Sequence, residues 1–183
     1  MAAAVSKLTD LINRSTPIVE YVGAGAEFLR KTSKPVLDFS EDLQDLVEAM
    51  TKIMNDAHGI GLAAPQVGIH KRIFIYDVGD GVQALINPKI VQTKGEQIGE
   101  EGCLSIPGLR GDVPRSHEVV VKAMDQFGKP IRIRGSALTA RVIQHELDHL
   151  DGVLFIDKVD ATTLHYLTPE ELQDERESDA SIE

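Results

Sequence analysis

The sequence has a single cysteine, Cys103, among 183 residues, so no disulfide can form within the chain. This is typical of a reducing compartment and excludes the small secreted folds that disulfides stabilise. No run of 18 apolar residues occurs, so the sequence predicts no membrane-spanning helix. The N-terminal region lacks an apolar signal core, and its acidic residues are unusual in a transit peptide. We therefore expect a cytoplasmic protein, with a plastid or mitochondrial location of a processed form as the alternative.

Basic residues are also few. The 19 lysines and arginines stand against 29 aspartates and glutamates, which gives a net charge of −10. Because a surface that binds duplex nucleic acid is normally basic, we expect no direct nucleic-acid binding. The length suits one domain, which we predict over residues 27–167. An N-terminal extension (1–26) would precede this domain, and an acidic tail (168–183) would follow it.

Two segments have the periodicity of amphipathic helices. Apolar residues recur at intervals of three and four in residues 41–57, and a second helix is predicted near residues 138–150. Between the helices, segments rich in β-branched residues predict strands at 72–78, 84–91, 118–125 and 130–134. Strands and helices do not alternate regularly. The pattern therefore favours the α+β class, with a mostly antiparallel sheet around the second helix and the first as a further amphipathic helix.

The second helix carries a metal-binding motif, because residues 145–149 read His-Glu-Leu-Asp-His. Histidines four residues apart project from one face of a helix, so both imidazoles can bind one metal ion. Glu146 can reach a water at that ion without binding the ion itself, as a general base must. The alternative, two solvated surface histidines, is disfavoured by the apolar residues beside them. The motif predicts a metal hydrolase whose central helix binds the metal.

Two histidines leave a catalytic metal site short of a third protein ligand. One peptidase class takes a third histidine six residues after the second, but Phe155 stands at that position. Another class uses a downstream glutamate, for which Glu170 and Glu171 are candidates by spacing. Cys103 is the other candidate. A lone cysteine is most often a buried apolar residue, but a thiolate beside two histidines would complete the site, so the sequence favours it.

A glycine-rich segment reads Gly-Ile-Gly-Leu-Ala-Ala-Pro-Gln-Val-Gly over residues 59–68. Its first glycines superficially match a dinucleotide-binding fingerprint, which requires a strand before it and a helix after it. Here a helix comes before it and Pro65 lies within it, so nucleotide binding is disfavoured. Glycine instead lets the backbone approach a ligand closely, and Gln66 offers an amide donor beside it.

Three motifs together resemble those of the peptide deformylase family. Residues 59–66 match its Gly-x-Gly-x-Ala-Ala-x-Gln motif, residues 101–105 its Glu-Gly-Cys-Leu-Ser motif, and residues 144–149 its Gln-His-Glu-x-Asp-His motif. The resemblance extends over about residues 27–160, and no motif residue departs from it. It implies removal of the N-formyl group from the N-terminal methionine of newly made polypeptides, with release of formate.

The resemblance also implies roles for individual residues. Three of them would bind the metal: Cys103, His145 and His149. The metal would be one divalent ion, commonly Fe²⁺, for which Zn²⁺, Co²⁺ or Ni²⁺ can substitute. Glu146 would take a proton from the activated water and then protonate the leaving amine. The backbone N–H of Leu104 and the amide of Gln66 would stabilise the charge that develops on the formyl oxygen.

Peptide recognition in the family uses backbone hydrogen bonds to an extended peptide, as in strand addition to a sheet edge. Four matched residues are candidates for contacts with the peptide: Ile60, Gly61, Gly102 and Arg110. Helix spacing places Val142 and Leu138 one and two turns before His145 on one face. They are therefore candidates for the methionine pocket, with a place in the ordinary core as the alternative. Glu101 and Arg115 are expected to pair and brace the cysteine loop.

The C-terminus departs from part of the family. Some members end in a long basic helix associated with docking at the ribosome, whereas seven acidic residues and one basic residue occupy positions 170–183 here. Ribosomal RNA would repel acidic groups. The expected partners are therefore N-formylmethionyl nascent peptides, with transient proximity to the ribosome but no docking through this tail.

Two other functions stay open at the level of sequence. A zinc endopeptidase would use Glu170 or Glu171 as the third ligand and would not need Cys103. An interaction module that binds a structural metal would need no base. Glu146 and Gln66 argue against that module, because a structural site closes its fourth coordination position.

Overall fold

The helices and strands lie close to the segments that the sequence predicts. The structure is a computed structural model that describes residues 17–168, 170 and 171. Its helices are α1 (Gly23–Leu29), α2 (Glu41–Asp56) and α3 (Ala137–Asp151). Its strands are β1 (Gly61–Ala63), β2 (Ile73–Tyr76), β3 (Gln83–Lys94), β4 (Gln97–Cys103), β5 (Ile106–Arg115), β6 (Glu118–Met124), β7 (Pro130–Ser136) and β8 (His165–Tyr166).

The strands form two antiparallel sheets. Five of them pair in the order β1-β2-β3-β6-β7, and three pair in the order β4-β5-β8. This arrangement confirms the α+β class. Both β1 and β4 are edge strands of their sheets, and these two edges flank the functional site described below. Among the described residues, no helix is both long and apolar enough to cross a membrane.

Helix α2 is stabilised by burial of its apolar face in the hydrophobic core. Six buried residues of this helix belong to one apolar cluster with residues of β1 and β2: Leu43, Leu46, Val47, Met50, Ile53 and Met54. Complete burial of such a side chain contributes about 1.5–3 kcal/mol. Glu41 and Asp42 lie in the first turn, where they suit the positive end of the helix dipole. Ser40 occupies the N-cap position, but its side chain makes no cap hydrogen bond.

Helix α3 lies between the two sheets. Its residues Ala140, Ile143 and Leu150 are completely buried and belong to the apolar cluster of the five-stranded sheet. The helix ends at Gly152, which has a left-handed backbone with φ of 74°. A Cβ at this position would collide with the carbonyl of Arg30, so glycine is required there on two grounds.

The hairpin of β4 and β5 is the main element that the sequence analysis does not predict. Its sequence contains four glycines and two prolines, which are poor strand formers. It forms a strand pair nevertheless, because regular pairing from Gln97–Arg115 to Gly102–Arg110 satisfies the backbone. Helix α1 and the short strands β1 and β8 were not predicted either. The proposed division of the chain at residues 26/27 and 167/168 stays a prediction.

The described residues end in a capping box. The backbone N–H of Thr168 donates to Glu171 Oε2 at 2.7 Å, and the N–H of Glu171 donates to Thr168 Oγ1 at 3.3 Å. The rest of the predicted acidic tail lies outside the described residues. At the other end, the N–H of Val19 donates to Gln66 O and that of Tyr21 donates to Ser105 O. The chain before α1 therefore runs beside two of the sequence motifs.

Candidate metal centre and active site

Two elements bring three potential metal ligands together. Cys103 is the last residue of β4, while His145 and His149 lie one turn apart on α3. Their ligand atoms all lie within 4.8 Å of one another. Cys103 Sγ and His149 Nε2 are 3.3 Å apart. Among the described residues, the third member of this group is Cys103 and not Glu170 or Glu171, as the sequence analysis favours.

The chemistry of these donors fits a catalytic site for a transition metal. A thiolate and two imidazoles suit a borderline divalent ion such as Fe²⁺ or Zn²⁺, and three protein ligands leave one coordination position open. Glu146 Oε2 is completely buried and has no hydrogen-bond partner among the described residues. Burying a carboxylate oxygen without a partner costs free energy. The unpaired oxygen of Glu146 therefore indicates that a further group binds beside it.

The two histidines have opposite charge preferences. Burial disfavours the charged form of His145, but hydrogen bonds with Cys103 and Glu101 outweigh burial and raise its pKa to about 10. Burial lowers the pKa of His149 well below its ordinary value, and the positive charge on His145 acts in the same direction. Because metal ligands must be deprotonated, binding of a metal here would release a proton from His145.

Glu101 holds the ring of His145 from the side away from the other ligands. His145 Nδ1 donates to Glu101 Oε2 at 3.0 Å, which leaves Nε2 for the metal. Burial opposes the charge on Glu101, but hydrogen bonds from Arg115 and His145 lower its pKa to about 2. The expected pair of Glu101 and Arg115 is present, with two hydrogen bonds of 2.9 Å. Glu101 is therefore ionised near neutral pH.

Glu146 is the candidate general base. Burial raises its pKa to about 7, and the negative charge of Glu101 contributes in the same direction. A carboxyl group with this pKa can both accept and return a proton near neutral pH. A Cβ at Gly61 would collide with the Glu146 carboxylate, so the glycine motif keeps this side chain in place by leaving room for it.

The Gln66 side chain is oriented toward the same centre. Its Oε1 accepts from the Ala63 N–H at 2.8 Å, which fixes the amide. Its Nε2 then lies 3.6 Å from Cys103 Sγ and 3.3 Å from Ser105 Oγ. Leu104, the other predicted donor, follows Cys103 directly and lines the same cavity. Both donors therefore lie beside the three potential ligands.

A cavity of about 490 Å³ opens onto this centre. All six residues predicted to bind substrate line it: Ile60, Gly61, Gly102, Arg110, Leu138 and Val142. Gly61 begins the edge strand β1, and Ile60 directly precedes it. Gly102 lies in the edge strand β4. A Cβ at Gly102 would collide with the Arg110 guanidinium, so the arginine lies across this glycine.

Four polar residues around the candidate site lie outside the site residues predicted from the sequence. Gln144 exchanges hydrogen bonds with the backbone of Ser116 at 3.0 and 2.9 Å, and Asp148 accepts from Arg115 at 2.5 Å. Arg141 and the completely buried Ser105 are the other two. Helical spacing could have identified the three that lie on α3, since residues 141, 144 and 148 share one face of this helix with His145.

Comparisons with known proteins agree with this geometry. The chain matches the polypeptide deformylase family over residues 17–164. It belongs to that family. A peptide deformylase of Acetivibrio thermocellus is 48% identical over 154 residues, which are 84% of this chain and 88% of that protein.

Solved structures give the same result. A peptide deformylase from Thermotoga maritima has a TM-score of 0.77 and 41% identity, and the match covers 81% of this chain and 99% of that one. A peptide deformylase from Synechococcus elongatus, in complex with actinonin, has a TM-score of 0.75 and 40% identity, with 91% and 87% covered. Polypeptide deformylases are metal-dependent hydrolases, so the predicted family, enzyme class and metal dependence are confirmed. The metal's identity stays a prediction.

Proposed function

We propose that this chain removes the N-formyl group from the N-terminal methionine of newly synthesised polypeptides and releases formate. In this proposal Cys103, His145 and His149 bind one divalent metal ion, and Glu146 is the general base and acid. The observation that carries the proposal is the unpaired, buried Glu146 carboxylate beside the three ligands. It supports an open catalytic site, since a structural site would need no base.

The chemistry divides between the metal and the chain. When bound, the ion supplies Lewis acidity, which lowers the pKa of water and polarises a carbonyl oxygen. Glu146 accepts a proton from the attacking water at its carboxylate and later delivers it to the leaving nitrogen. The C–N bond to the formyl group breaks, so the products are formate and a free amino terminus. The pKa of about 7 suits Glu146 to both transfers.

Charge that develops on the formyl oxygen requires donors in fixed positions. The Gln66 amide is held by its bond to Ala63, so it is oriented before the substrate arrives. The Leu104 backbone N–H would supply a second hydrogen bond from the cysteine motif. Removal of one donor of this kind typically costs a few kcal/mol of transition-state stabilisation.

The peptide is proposed to lie in the cavity between the edges of β1 and β4. An edge strand offers unpaired backbone groups, so an extended peptide can add to it through main-chain hydrogen bonds at Ile60, Gly61 and Gly102. Leu138 and Val142 supply apolar surface for the methionine side chain. Arg110, across Gly102, would contact the peptide backbone further along.

We also propose Fe²⁺ as the resident ion and the cytoplasm as the location, as the sequence resemblance implies. A thiolate ligand suits Fe²⁺ but also suits Zn²⁺, so the ligand set is compatible with either. The partners are formylmethionyl nascent peptides. Transient proximity to the ribosome would not involve the acidic residues after position 168.

The test is formate release from a formyl-methionyl tripeptide by protein prepared without oxygen, because a thiolate beside iron is readily oxidised. The acetyl-methionyl tripeptide is the matched control. We expect release from the formyl substrate alone, its loss on chelation, and its return with added Fe²⁺. Folded protein with one equivalent of metal and no formate release would contradict the proposal. Cleavage of internal peptide bonds, retained in Cys103→Ala, would instead indicate an endopeptidase.

A further inference from the structure

Arg141 is a buried arginine whose contacts connect the two parts of the metal site. It lies one turn before His145 on α3 and lines the cavity, yet only 8% of it is exposed. Its Nη1 donates to Gly99 O at 3.0 Å, to Glu101 Oε1 at 2.8 Å and to Val113 O at 2.9 Å. One nitrogen atom thus joins the helix to β4, to β5 and to the carboxylate that holds His145.

Neutralising Glu101 does not require this arginine. Arg115 already donates two hydrogen bonds to the Glu101 carboxylate, and His145 donates a third. Arg141 adds a second buried positive charge to the same group. Its Nη2 is buried and has no hydrogen-bond partner among the described residues. Because a buried and incompletely satisfied charge contributes little to stability or costs some, stability alone does not account for it.

The position of Arg141 suggests a different role. The hairpin carries Cys103 and the helix carries the two histidines, so any sliding of one past the other changes the distances between the ligands. Gly99 lies directly beneath the guanidinium, since a Cβ there would be 3.2 Å from Nη2. The three acceptors come from two strands and a side chain. All three lie within hydrogen-bond distance of Nη1, so they share its two N–H groups and are held around one atom.

We propose that Arg141 is a positioning residue: it fixes the Glu101 carboxylate and the β4–β5 hairpin against α3, and so sets the orientation of His145 and its distance from Cys103. This inference rests on the proposed function only for the identity of the three ligands. It concerns the affinity and geometry of the metal site, and Arg141 itself touches neither the metal nor the reacting atoms.

The experiment compares Arg141→Met with the wild-type protein, using Co²⁺ alone as the probe. Methionine keeps much of the side-chain length but has no donor. We expect about tenfold or greater loss of Co²⁺ affinity in competition with a chelator, as is typical for outer partners of metal ligands. We also expect a shifted visible absorption spectrum of bound Co²⁺. The metal-free variant should still unfold in one cooperative transition, because Arg115 and His145 continue to donate to the Glu101 carboxylate.

The matched control is Arg72→Met, which also removes an arginine that holds α3. Arg72 pairs with Asp151 at 2.6 Å and does not contact Glu101. We expect its Co²⁺ affinity and spectrum to match the wild type. Wild-type affinity and spectrum in Arg141→Met would overturn the proposal. An equal loss of affinity in both variants would overturn it as well, since any helix anchor would then suffice.

A second variant covers failure of Arg141→Met to fold. Arg141→Lys keeps the charge, but its nitrogen lies one bond closer to the backbone than Nη1 and cannot reach the three acceptors in the same position, so we expect a weaker affinity than in the wild type. Unchanged Co²⁺ affinity in the lysine variant would overturn the proposal. Failure of the proposed function is distinguishable, because wild-type protein that binds Co²⁺ but releases no formate contradicts only the deformylase reaction. Wild-type protein that binds no Co²⁺ would overturn both.

Discussion

Helix α3 meets the two sheets through different kinds of contact. Toward the five-stranded sheet it presents Ile143 and Leu150, which are completely buried in one cluster with Phe74 and Leu85. Toward the three-stranded sheet it presents polar side chains at positions 141, 144, 145 and 148. Their partners are backbone groups and the charged side chains of Glu101 and Arg115. Among residues 17–168, 170 and 171, the buried apolar cluster on that side consists of Cys103, Val113 and Phe155.

This difference separates stability from geometry. Apolar contact is strong in total but not directional, so it holds the helix to the sheet without fixing it precisely in rotation. Hydrogen bonds and ion pairs are directional, but buried ones add little net stability. The metal ligands come from both sides of the polar contact. The five-stranded side therefore accounts for most of the stability, and the polar side sets the positions of the ligands.

The largest effect should come from Glu146, which belongs to neither contact. Glu146→Gln keeps the size of the side chain but removes its ability to carry the proton. We expect a loss of about 10²–10⁴-fold in kcat for formate release, with little change in unfolding free energy or metal affinity. Steady-state kinetics with a formyl-methionyl tripeptide would measure it. Activity within tenfold of the wild type would exclude Glu146 as the base.

The second largest effect tests the apolar side. Ile143→Ala should destabilise the metal-free protein by about 2–5 kcal/mol, since it leaves a cavity in a closely packed core. Urea unfolding of the metal-free protein would measure this. Ile98→Ala is the control, because Ile98 is 75% exposed and its truncation should change stability by less than about 0.5 kcal/mol. The metal affinity of folded Ile143→Ala should stay near that of the wild type. A tenfold loss would show that the two sides are not separable.

The same division explains how much could be predicted from the sequence. Helices α2 and α3 and strands β2, β3, β6 and β7 were predicted within a few residues, because apolar periodicity records burial against a core. The hairpin of β4 and β5 was not predicted. Its glycines and charged residues have weak strand propensity, and the partners that stabilise it lie on a helix distant in sequence.

For the site, the ligands and the base were predicted because their chemistry appears in short motifs. Cys103 joined the two histidines only as the most favoured of several candidates and through the family resemblance. The surrounding bonds of Arg141 and Gln144 could not be predicted, since each depends on backbone groups of the hairpin or of Ser116, the residue directly after it. A sequence pattern contains side-chain types and does not record which backbone groups they meet.

The third prediction tests the polar side. Arg115→Met removes two hydrogen bonds from Glu101 and one from Asp148. Glu101 keeps Arg141 and His145, and Asp148 keeps Lys158, so the loss of stability should be smaller than in Ile143→Ala. We expect a loss of about 10–100-fold in metal affinity, measured by chelator competition. Unchanged metal retention and activity would show that the pair does not brace the site.

The smallest effect concerns an ion pair of the same chemistry at the surface. Asp157 accepts from Arg30, and 37% of the Asp157 side chain is exposed. Burial opposes its charge, but the hydrogen bonds from Arg30 and from the Leu154 N–H lower its pKa below the ordinary value. A carboxyl group with a lowered pKa stabilises the folded state above its unfolded pKa, and this contribution is lost as the pH falls through the folded value.

Asp157→Asn keeps an acceptor for the Leu154 N–H but loses the charge. Near pH 7 it should therefore be less stable than the wild type by at most about 1 kcal/mol, because solvent screens the pair. The difference should shrink as the pH falls below about 4, where the aspartate of the unfolded chain is protonated. Thermal unfolding of both metal-free proteins between pH 3 and 7 would measure it. A difference of more than about 2 kcal/mol at pH 7 would mean that this exposed pair holds the fold as strongly as a buried contact does, which contradicts the division between the two sides of α3.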